Sequence, residues 1–498
     1  MLSHLSALRD SELLYERGIF PQSTYIFKHA LTREVVYDSI LKNTKRRLHN
    51  EIGDAIEEIH KDNLDEYYAI LAEHFIAGGN YDKAIEYCRL AERKAEKTAS
   101  LNDAITYAQK RVACLEKLPQ TEDVSRKIID VRTVLGLYCI QINHLVEAKE
   151  AVEPMVDLTL KLGYKRRISQ VYSILGWYTW WTEEDYTRAH RYLTDGLNIA
   201  EELNDILSLA TANLCLGLVF SGNCEYEKAS AHFGKVLDIN IAANRLWGIA
   251  TTKSMRAFWV YNWQGRIDLG FKETSEAVQL AEESGDIYSK AYGYAFHGNS
   301  CYCKGYLREA EEYLVKGINF AERINDPAIL FVIYFSLGET YLNMGKHVQA
   351  REVLERGISL LEPHRIHPSL LSLSRLALAL VKILSGDVDI ELDPLYRYQA
   401  ASKMKAFEGS ALRYLSAIIV NVDVNRLPEA EDLIKRAIED DTRNGTRFPL
   451  AHDYAHYAEL CKRKGDLAMA KEKLSKAIKT FKECGADGWV TRTREALL

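Results

Sequence analysis

Apolar residues fall three and four positions apart along most of the chain, the spacing that lines one face of an α-helix. The clearest stretch is Phe331–Leu361, FVIYFSLGETYLNMGKHVQAREVLERGISLL. Ile333, Leu337, Tyr341 and Leu342 share a face, Gly345 interrupts, and Val348, Val353, Leu354, Ile358 and Leu361 line a second face. The pattern predicts two helices joined by a tight turn.

The unit recurs. Small residues stand at Ala148, Ala189, Ala229, Gly270, Ala310, Ala350, Ala430 and Ala470, in steps of 41, 40, 41, 40, 40, 80 and 40. A period of this size marks stacked supersecondary units, so the predicted fold class is all-α, a solenoid of helix pairs. A second small residue lies twelve positions earlier in several units, pairing Gly136 with Ala148, Gly217 with Ala229, Gly298 with Ala310, Gly338 with Ala350 and Ala458 with Ala470. Glycine inside a helix costs about 0.5 to 1 kcal/mol relative to alanine, so its recurrence there requires a packing reason: two helices approach closely at that point. The skipped beat falls near Glu391, in a stretch with Gly386 and Pro394 and no small residue in register. It reads as a degenerate repeat and a bend in the array.

Leu337, Gly338, Tyr341, Gly345, Ala350, Leu354 and Gly357 follow the order large, small, aromatic, turn, small, large, small. GRIDLGFKETSEAV from Gly265, GYLREAEEYLVKGI from Gly305 and GDLAMAKEKLSKAI from Gly465 repeat it. This resembles the tetratricopeptide repeat in the extended form, near 40 residues, of bacterial signalling ATPases and some transcription activators. The resemblance implies a right-handed superhelix, with irregular first repeats over 63–118 and about nine repeats over 119–498. Residues 1–62 lack the register. There, Ile26, Ala30, Val35, Val36, Ile40 and Leu41 predict one amphipathic helix, with Thr32 and Glu34 suited to its start, and Leu48, Ile52, Ala55 and Ile56 a second. Phe27, His29, Ala30, Leu31, Glu34, Tyr37, Arg46, Arg47, Leu48 and His49 resemble the stretch joining the ATPase module to the repeats in bacterial adenylate or guanylate cyclases and related multidomain signalling ATPases. That likeness implies the helical end of a winged-helix-like module. The tail GADGWVTRTREALL resembles the closing helix of such arrays.

Charge changes the picture of partners. With 64 basic and 70 acidic residues, the chain lacks the overall positive surface that phosphate backbones require, which argues against nucleic acid. The cluster Lys42, Lys45, Arg46 and Arg47 reads as a solvated helix junction or a docking face toward an ATPase, with a DNA-phosphate contact as the alternative. Nine cysteines show no C-x-x-C spacing, so no metal site is expected, and buried thiols in a reducing cytoplasm are; Cys301 and Cys303 point to different helix faces. No apolar run suits a signal core or a membrane span, which predicts a cytoplasmic protein without membrane partners.

No G-x-x-x-x-G-K-[ST], H-E-x-x-H, G-x-S-x-G or G-x-G-x-x-G signature occurs, so neither a catalytic residue nor a cofactor is expected. His29 and His49 read as structural histidines. Five of the seven tryptophans lie in the first helices of two repeats. In a tetratricopeptide superhelix these helices line the concave surface, and the positions just after the small residue, then three and four beyond, face inward. That register selects Trp177, Trp180, Trp181, Trp259, Asn262, Trp263, Asn299, Tyr302, Glu339 and Asn343 as a candidate groove. Rings beside amides and a carboxylate suit a peptide, a protein segment or an oligosaccharide. Core packing is the competing reading. Three tryptophans within five residues cannot all face one core, so at least one is expected exposed in the groove or at an edge, whereas Trp247, standing alone, is expected in packing.

Two functions follow as expectations. One is a non-catalytic recognition scaffold, the sensor part of a bacterial signal-transduction ATPase or cyclase system, whose partner would be that ATPase or cyclase module. The other is a fragment of such an enzyme, or a transcription regulator sensing a small ligand; a separate gene product and a truncated one are both compatible with the sequence. The register itself is testable by thermal melts. Ala310→Asp or Ala350→Asp should cost about 3 to 5 kcal/mol by forcing a carboxylate between packed helices, while Lys316→Ala and Glu355→Ala should each stay within about 0.5 kcal/mol.

Overall fold

The computed structural model describes residues 2–18, 24–98, 100–386 and 390–495. The chain forms two compact units, Met1–Arg132 and Thr133–Leu498.

The first unit begins with α1 (Leu2–Asp10), an antiparallel hairpin of β1 (Leu14–Arg17) and β2 (Thr24–Phe27), α2 (Ala30–Ser39) and α3 (Lys42–Ile59). It continues through α4 (Tyr68–Gly78), α5 (Tyr81–Lys97), α6 (Leu101–Leu115) and the start of α7 (Glu122–Gln141). The hairpin is the only sheet among the described residues, and it corrects the expected first helix. Tyr25, Ile26 and Phe27 are aromatic and β-branched residues that favour a pleated strand, and Ile26 pairs with Tyr15. The helix starts after them, with His29 in the extended N-cap position and neither Thr32 nor Glu34 acting as its cap. None of its residues is buried; Leu31, Val35 and Val36 are exposed. α3 seats on the fully buried Phe75 through Gly53, where a Cβ would come within 2.7 Å of the Phe75 ring. His49 accepts or donates at 2.8 Å to the Tyr37 hydroxyl and at 2.9 Å to His74, a structural role, while His29 is exposed. In the basic cluster, Lys45 pairs with Asp38 at 3.3 Å and Arg47 with Glu51 at 3.6 Å.

The second unit is a solenoid of helix pairs. α7 pairs with α8 (Leu145–Val152) and its continuation α9 (Val156–Lys161), which Pro154 separates. Then come α10 (Lys165–Tyr178) with α11 (Tyr186–Leu203), α12 (Ile206–Gly222) with α13 (Tyr226–Ala242), α14 (Leu246–Arg256) with α15 (Ile267–Ser284), and α16 (Ile287–Lys304) with α17 (Leu307–Ile324). The array continues with α18 (Pro327–Asn343) and α19 (His347–Leu361), α20 (Pro368–Leu384) and α21 (Leu392–Ala401), α22 (Lys405–Val422) and α23 (Leu427–Asn444), and α24 (Arg447–Arg463) and α25 (Leu467–Cys484), closed by α26 (Asp487–Glu495). The skipped beat corresponds to α21, a second helix of only 10 residues. Aspartates start several helices: the Asp185, Asp286 and Asp466 carboxylates each accept from the backbone N–H three residues on.

The recurring small residues lie where the helices touch. Ala148, Ala189, Ala229, Ala310, Ala350 and Ala430 have no exposed surface, and Ala470 has 2%. The glycines of the first helices receive a large side chain from the second: a Cβ on Gly338 would stand 2.6 Å from Leu354, and one on Gly298 would stand 2.7 Å from Leu314 Cγ and 2.9 Å from its backbone nitrogen. Eight cysteines are buried and Cys224 is half-buried.

The array winds until its interior meets itself. The Asn143 amide donates to Asp326 at 2.9 Å across 183 residues. The backbone N–H of His367 donates to the Trp181 carbonyl at 2.8 Å, and Ser369 donates to the buried Glu184 carboxylate through its backbone N–H, at 2.9 Å, and its hydroxyl. Further along, buried Lys304 donates to Gly485 O and Asp487, both at 2.6 Å, and to Asp268 at 2.9 Å, while the Trp489 indole donates to Tyr302 O at 2.8 Å. Contacts recurring at this separation mean that one superhelical turn takes roughly four and a half repeats.

Two glycine substitutions test the packing account by thermal melts. Gly298→Ala should destabilise, by about 1 to 3 kcal/mol, because the Leu314 backbone leaves no room. Gly234→Ala, inside α13 with nothing within 4 Å of its Cβ position, should stabilise by about 0.5 to 1 kcal/mol.

Candidate functional site

The inner faces of the first helices line three partly open cavities. A cavity of about 80 Å³ lies among the rings of Phe258, Trp263, Phe335, Phe407 and Phe448, with Asn262, Asn299, Ser336, Glu339 and Arg413 among its polar groups. A wider one of about 350 Å³ shares Tyr302, Glu339, Arg413, Tyr414 and His452 with it. A separate cavity of about 200 Å³ has Trp177, Trp181 and Trp259 in its wall.

A polar ladder runs between successive first helices along the interior. The Asn262 amide donates to Asn299 Oδ1 at 3.0 Å, and Asn299 donates to Ser336 Oγ at 3.2 Å. One turn further on each helix, the Tyr302 hydroxyl donates to Glu339 Oε2 at 3.2 Å and accepts from the Asn343 amide at 3.3 Å. Glu339 also accepts from the Tyr414 hydroxyl, which joins α18 to α22 across the cavity. Burial pushes the Glu339 carboxyl up to about 7, against the opposing pull of the nearby Arg413 guanidinium and the Tyr302 hydrogen bond.

Arg413 anchors the far wall. Its guanidinium meets fully buried Asp453 at 2.7 Å and donates to Pro449 O at 3.3 Å. Asp441, also fully buried, accepts from the Thr446 hydroxyl at 2.7 Å. Burial, and then the charge of Asp453, push Asp441 well above the carboxylate range, so one guanidinium balances one ionised acid of the two. His452 stands edge-on to the Phe448, Phe481 and Trp489 rings, and burial pushes its imidazole well down, leaving it neutral. The thiol nearest the ladder, Cys303, is buried and pushed well above its ordinary value, which removes the thiolate that nucleophilic chemistry needs. The arrangement brings oriented amides, the Glu339 carboxyl, the Arg413 guanidinium and aromatic rings to one cavity.

Of the residues selected from sequence, Asn262, Trp263, Asn299, Tyr302 and Glu339 line the central cavity, and Asn343 joins Tyr302 and Glu339 in the wider one. Trp177, Trp181 and Trp259 come together in the third, with Trp181 5.7 Å from Trp259 between ring centres. Trp180 lines none of the three; it packs on Gly222, where a Cβ would overlap its ring. Of the three neighbouring tryptophans, Trp180 and Trp181 are buried, and Trp177 is half-buried and lines the third cavity. The cause is twofold. The superhelix closes over its own interior, and π turns at Thr179–Glu183 and Ala257–Asn262 rotate these residues off the α-helical register. Trp247 is the reverse case, 47% exposed in the first turn of α14 instead of packed.

Arg413, Tyr414, His452, Phe335 and Phe407 were not anticipated. The inward stripe of a helix covers positions three, four and seven apart, so residues one and two turns before the small residue face the interior as well. Phe407, Ser410, Tyr414 and Ala417 follow that spacing in α22, and extending the register backwards would have found them.

Glu339 generates a pH prediction. Its carboxyl titrates near 4.5 when unfolded and near 7 when folded, so between these values the folded chain holds more protons and this group's contribution to stability falls as pH rises. Melting curves of Glu339→Gln against the parent chain should therefore shift in favour of the variant between pH 4.5 and 7 and run parallel above that. A constant difference across the range would exclude the shifted titration.

A family model for the tetratricopeptide repeat matches residues 332–360, in α18 and α19. No curated protein matches the sequence. Among solved structures, the chain is similar to a Rap protein complexed with competence and sporulation factor, at 17% identity and TM-score 0.49, covering 78% of this chain and 99% of that one. It is similar to the APC/C hetero-tetramer Cut9–Hcn1 at 14% identity and TM-score 0.47, covering 94% of each. A signal transduction ATPase with numerous domains and a tetratricopeptide repeat sensor, from Pyrococcus horikoshii, gives 15% identity and TM-score 0.37, over 83% of this chain and 74% of that one. Among the described residues, no helix is long and apolar enough to cross a membrane. The chain is an all-α solenoid of helix pairs with a tetratricopeptide-type region.

Proposed function

We propose that the chain is a non-catalytic recognition scaffold whose superhelix interior holds a peptide or a segment of a partner protein. The observation that carries this reading is the interior ladder from Asn262 through Asn299 to Ser336, flanked by Tyr302, Glu339 and Arg413. Amide side chains that already exchange hydrogen bonds between repeats can re-aim toward a main chain, which carries one donor and one acceptor per residue. The surrounding phenylalanines supply apolar contact.

The mechanism is a change of curvature. The cavity lies between α16 and α18 on one side and α22 and α24 on the other, and Tyr414 and Glu339 bridge it. An occupant displacing that bridge would alter the separation of the two walls, and small rotations at each interface would add along the array. In this reading the scaffold is the sensor part of a signalling system, and its output is an ATPase or cyclase module. Support for a protein partner comes from α2, whose Leu31, Val35 and Val36 are exposed in a helix with no buried residue.

Titration of the purified full chain with a panel of short synthetic peptides, and separately with linear oligosaccharides, tests the reading through melting temperature. A binding peptide at 100 times its Kd should add about 2.7 kcal/mol of stability. Arg413→Gln and Asn299→Ala should reduce that gain. Stabilisation by an oligosaccharide alone, or ATP turnover by the chain, would overturn the proposal.

A further inference from the structure

The third cavity has a composition of its own. Trp177, Trp181 and Trp259 form one side, with ring centres 6.0 Å apart for Trp177 and Trp181 and 5.7 Å for Trp181 and Trp259. Tyr288, Tyr292 and Phe296 form another, Tyr288 and Tyr292 stacked at 4.5 Å. Among the lining residues only Asp326 is a carboxylic acid, none is a lysine or arginine, and no cation among the described residues pairs with Asp326. Its Oδ1 is occupied, accepting from Asn143 at 2.9 Å and from the backbone N–H groups of Ala328 and Ile329 at 3.0 and 3.2 Å. Its Oδ2 accepts only from the Tyr292 hydroxyl, at 3.3 Å.

A second polar group points to an occupant independently. His367 is 6% exposed, lines the cavity, and lies 4.1 Å from Trp181 between ring centres. Its Nδ1 has no hydrogen-bond partner among the described residues. A buried ring nitrogen left without a partner costs free energy that a donor in the cavity would recover. His367 also holds a left-handed backbone, φ 53°, kept in place by its N–H bond to Trp181 O, so the ring's position is set by the closing of the superhelical turn.

We infer that this cavity is a receptor for an organic cation, an alkylammonium group of side-chain size, with the Asp326 carboxylate as counter-ion, His367 as hydrogen-bond acceptor and the tryptophan and tyrosine faces as the surrounding cage. The ring faces carry negative potential that attracts a cation within about 6 Å of their centres. The volume of about 200 Å³ admits such a group, since one water needs only roughly 10–15 Å³ on the same measure. Gln141 and Tyr288, both in the lining and both exposed, give it an entrance from solvent. The chemistry is that of a free amine or of a lysine side chain on a peptide. The cavity shares no lining residue with the central one, so this inference stands apart from the peptide reading above.

The test uses the full chain, with tryptophan fluorescence and calorimetry as readouts. The probes are n-butylammonium, choline, the uncharged 3,3-dimethylbutan-1-ol that copies choline's shape, and a blocked pentapeptide carrying one lysine or, in its place, norleucine. The charged probes should quench the tryptophans and the uncharged ones should not. Asp326→Asn keeps a residue suited to start α18 and should weaken binding roughly tenfold or more. Trp177→Leu, at a half-buried position, should weaken it as well, while Glu339→Gln in the central cavity should leave it unchanged. Preference for the lysine peptide over butylammonium assigns the cation to a peptide, and the reverse assigns it to a free amine; either supports the inference. Equal binding of choline and its uncharged copy, no response to any cation, or unchanged affinity in Asp326→Asn would overturn it. Loss of cation binding in Glu339→Gln with Asp326→Asn unaffected would instead place the cation in the central cavity.

Discussion

The closeness with which two helices can approach governs this molecule. Where Leu314 and Leu354 of the second helices press against the first, the residue beneath is glycine, and a single added carbon would overlap them. Removing side chains at the crossing lets backbones come together, and that separation, repeated with the fully buried alanines, sets the angle between successive pairs. Each glycine lowers helix propensity locally, and the apolar contact made over it offsets the loss.

The winding follows from that angle, and the winding makes the interior. Hydrogen bonds at nearly constant sequence separation, from Asn143 to Asp326 and from Lys304 to Asp487, mark where one turn closes on the next. Groups that an open array would present to solvent are enclosed. Glu184 illustrates the cost: burial pushes its carboxyl up to about 7 even though Ser369 supplies two hydrogen bonds. Glu339 is treated in the same way by the same enclosure. The interior is therefore a small set of polar groups held among rings, brought together from several repeats at once.

The repeat was legible in sequence because the small residues keep register with each other regardless of what surrounds them. The helix pairs, their turns at Gly305, Gly345 and Gly465, and the shortened pair near Glu391 all follow from local pattern. The hairpin was not legible, because the Ile26 that completes a plausible helical stripe also sits in a run of strand-forming residues, and strand pairing with Tyr15 decided between them. For the site, the register placed Asn299, Tyr302, Glu339 and Asn343 in the interior but did not show that Arg413 faces them, since that partner arrives from a repeat distant in sequence. The π turns were equally invisible, and with them the rotation that packs Trp180 against Gly222 while Trp181 lines the third cavity.

The stitches across successive turns have a thermodynamic meaning beyond architecture. A linear array whose units touch only their neighbours can fray from an end, each repeat adding its own increment of stability. Here the Trp489 indole and the Lys304 ammonium tie the last helices to units four repeats away, so loosening the C-terminal pair also uncovers the interior of the middle of the array. Local opening is thereby coupled into larger cooperative units, and the chain gains the all-or-none character of a globular domain while keeping the modular construction of a filament.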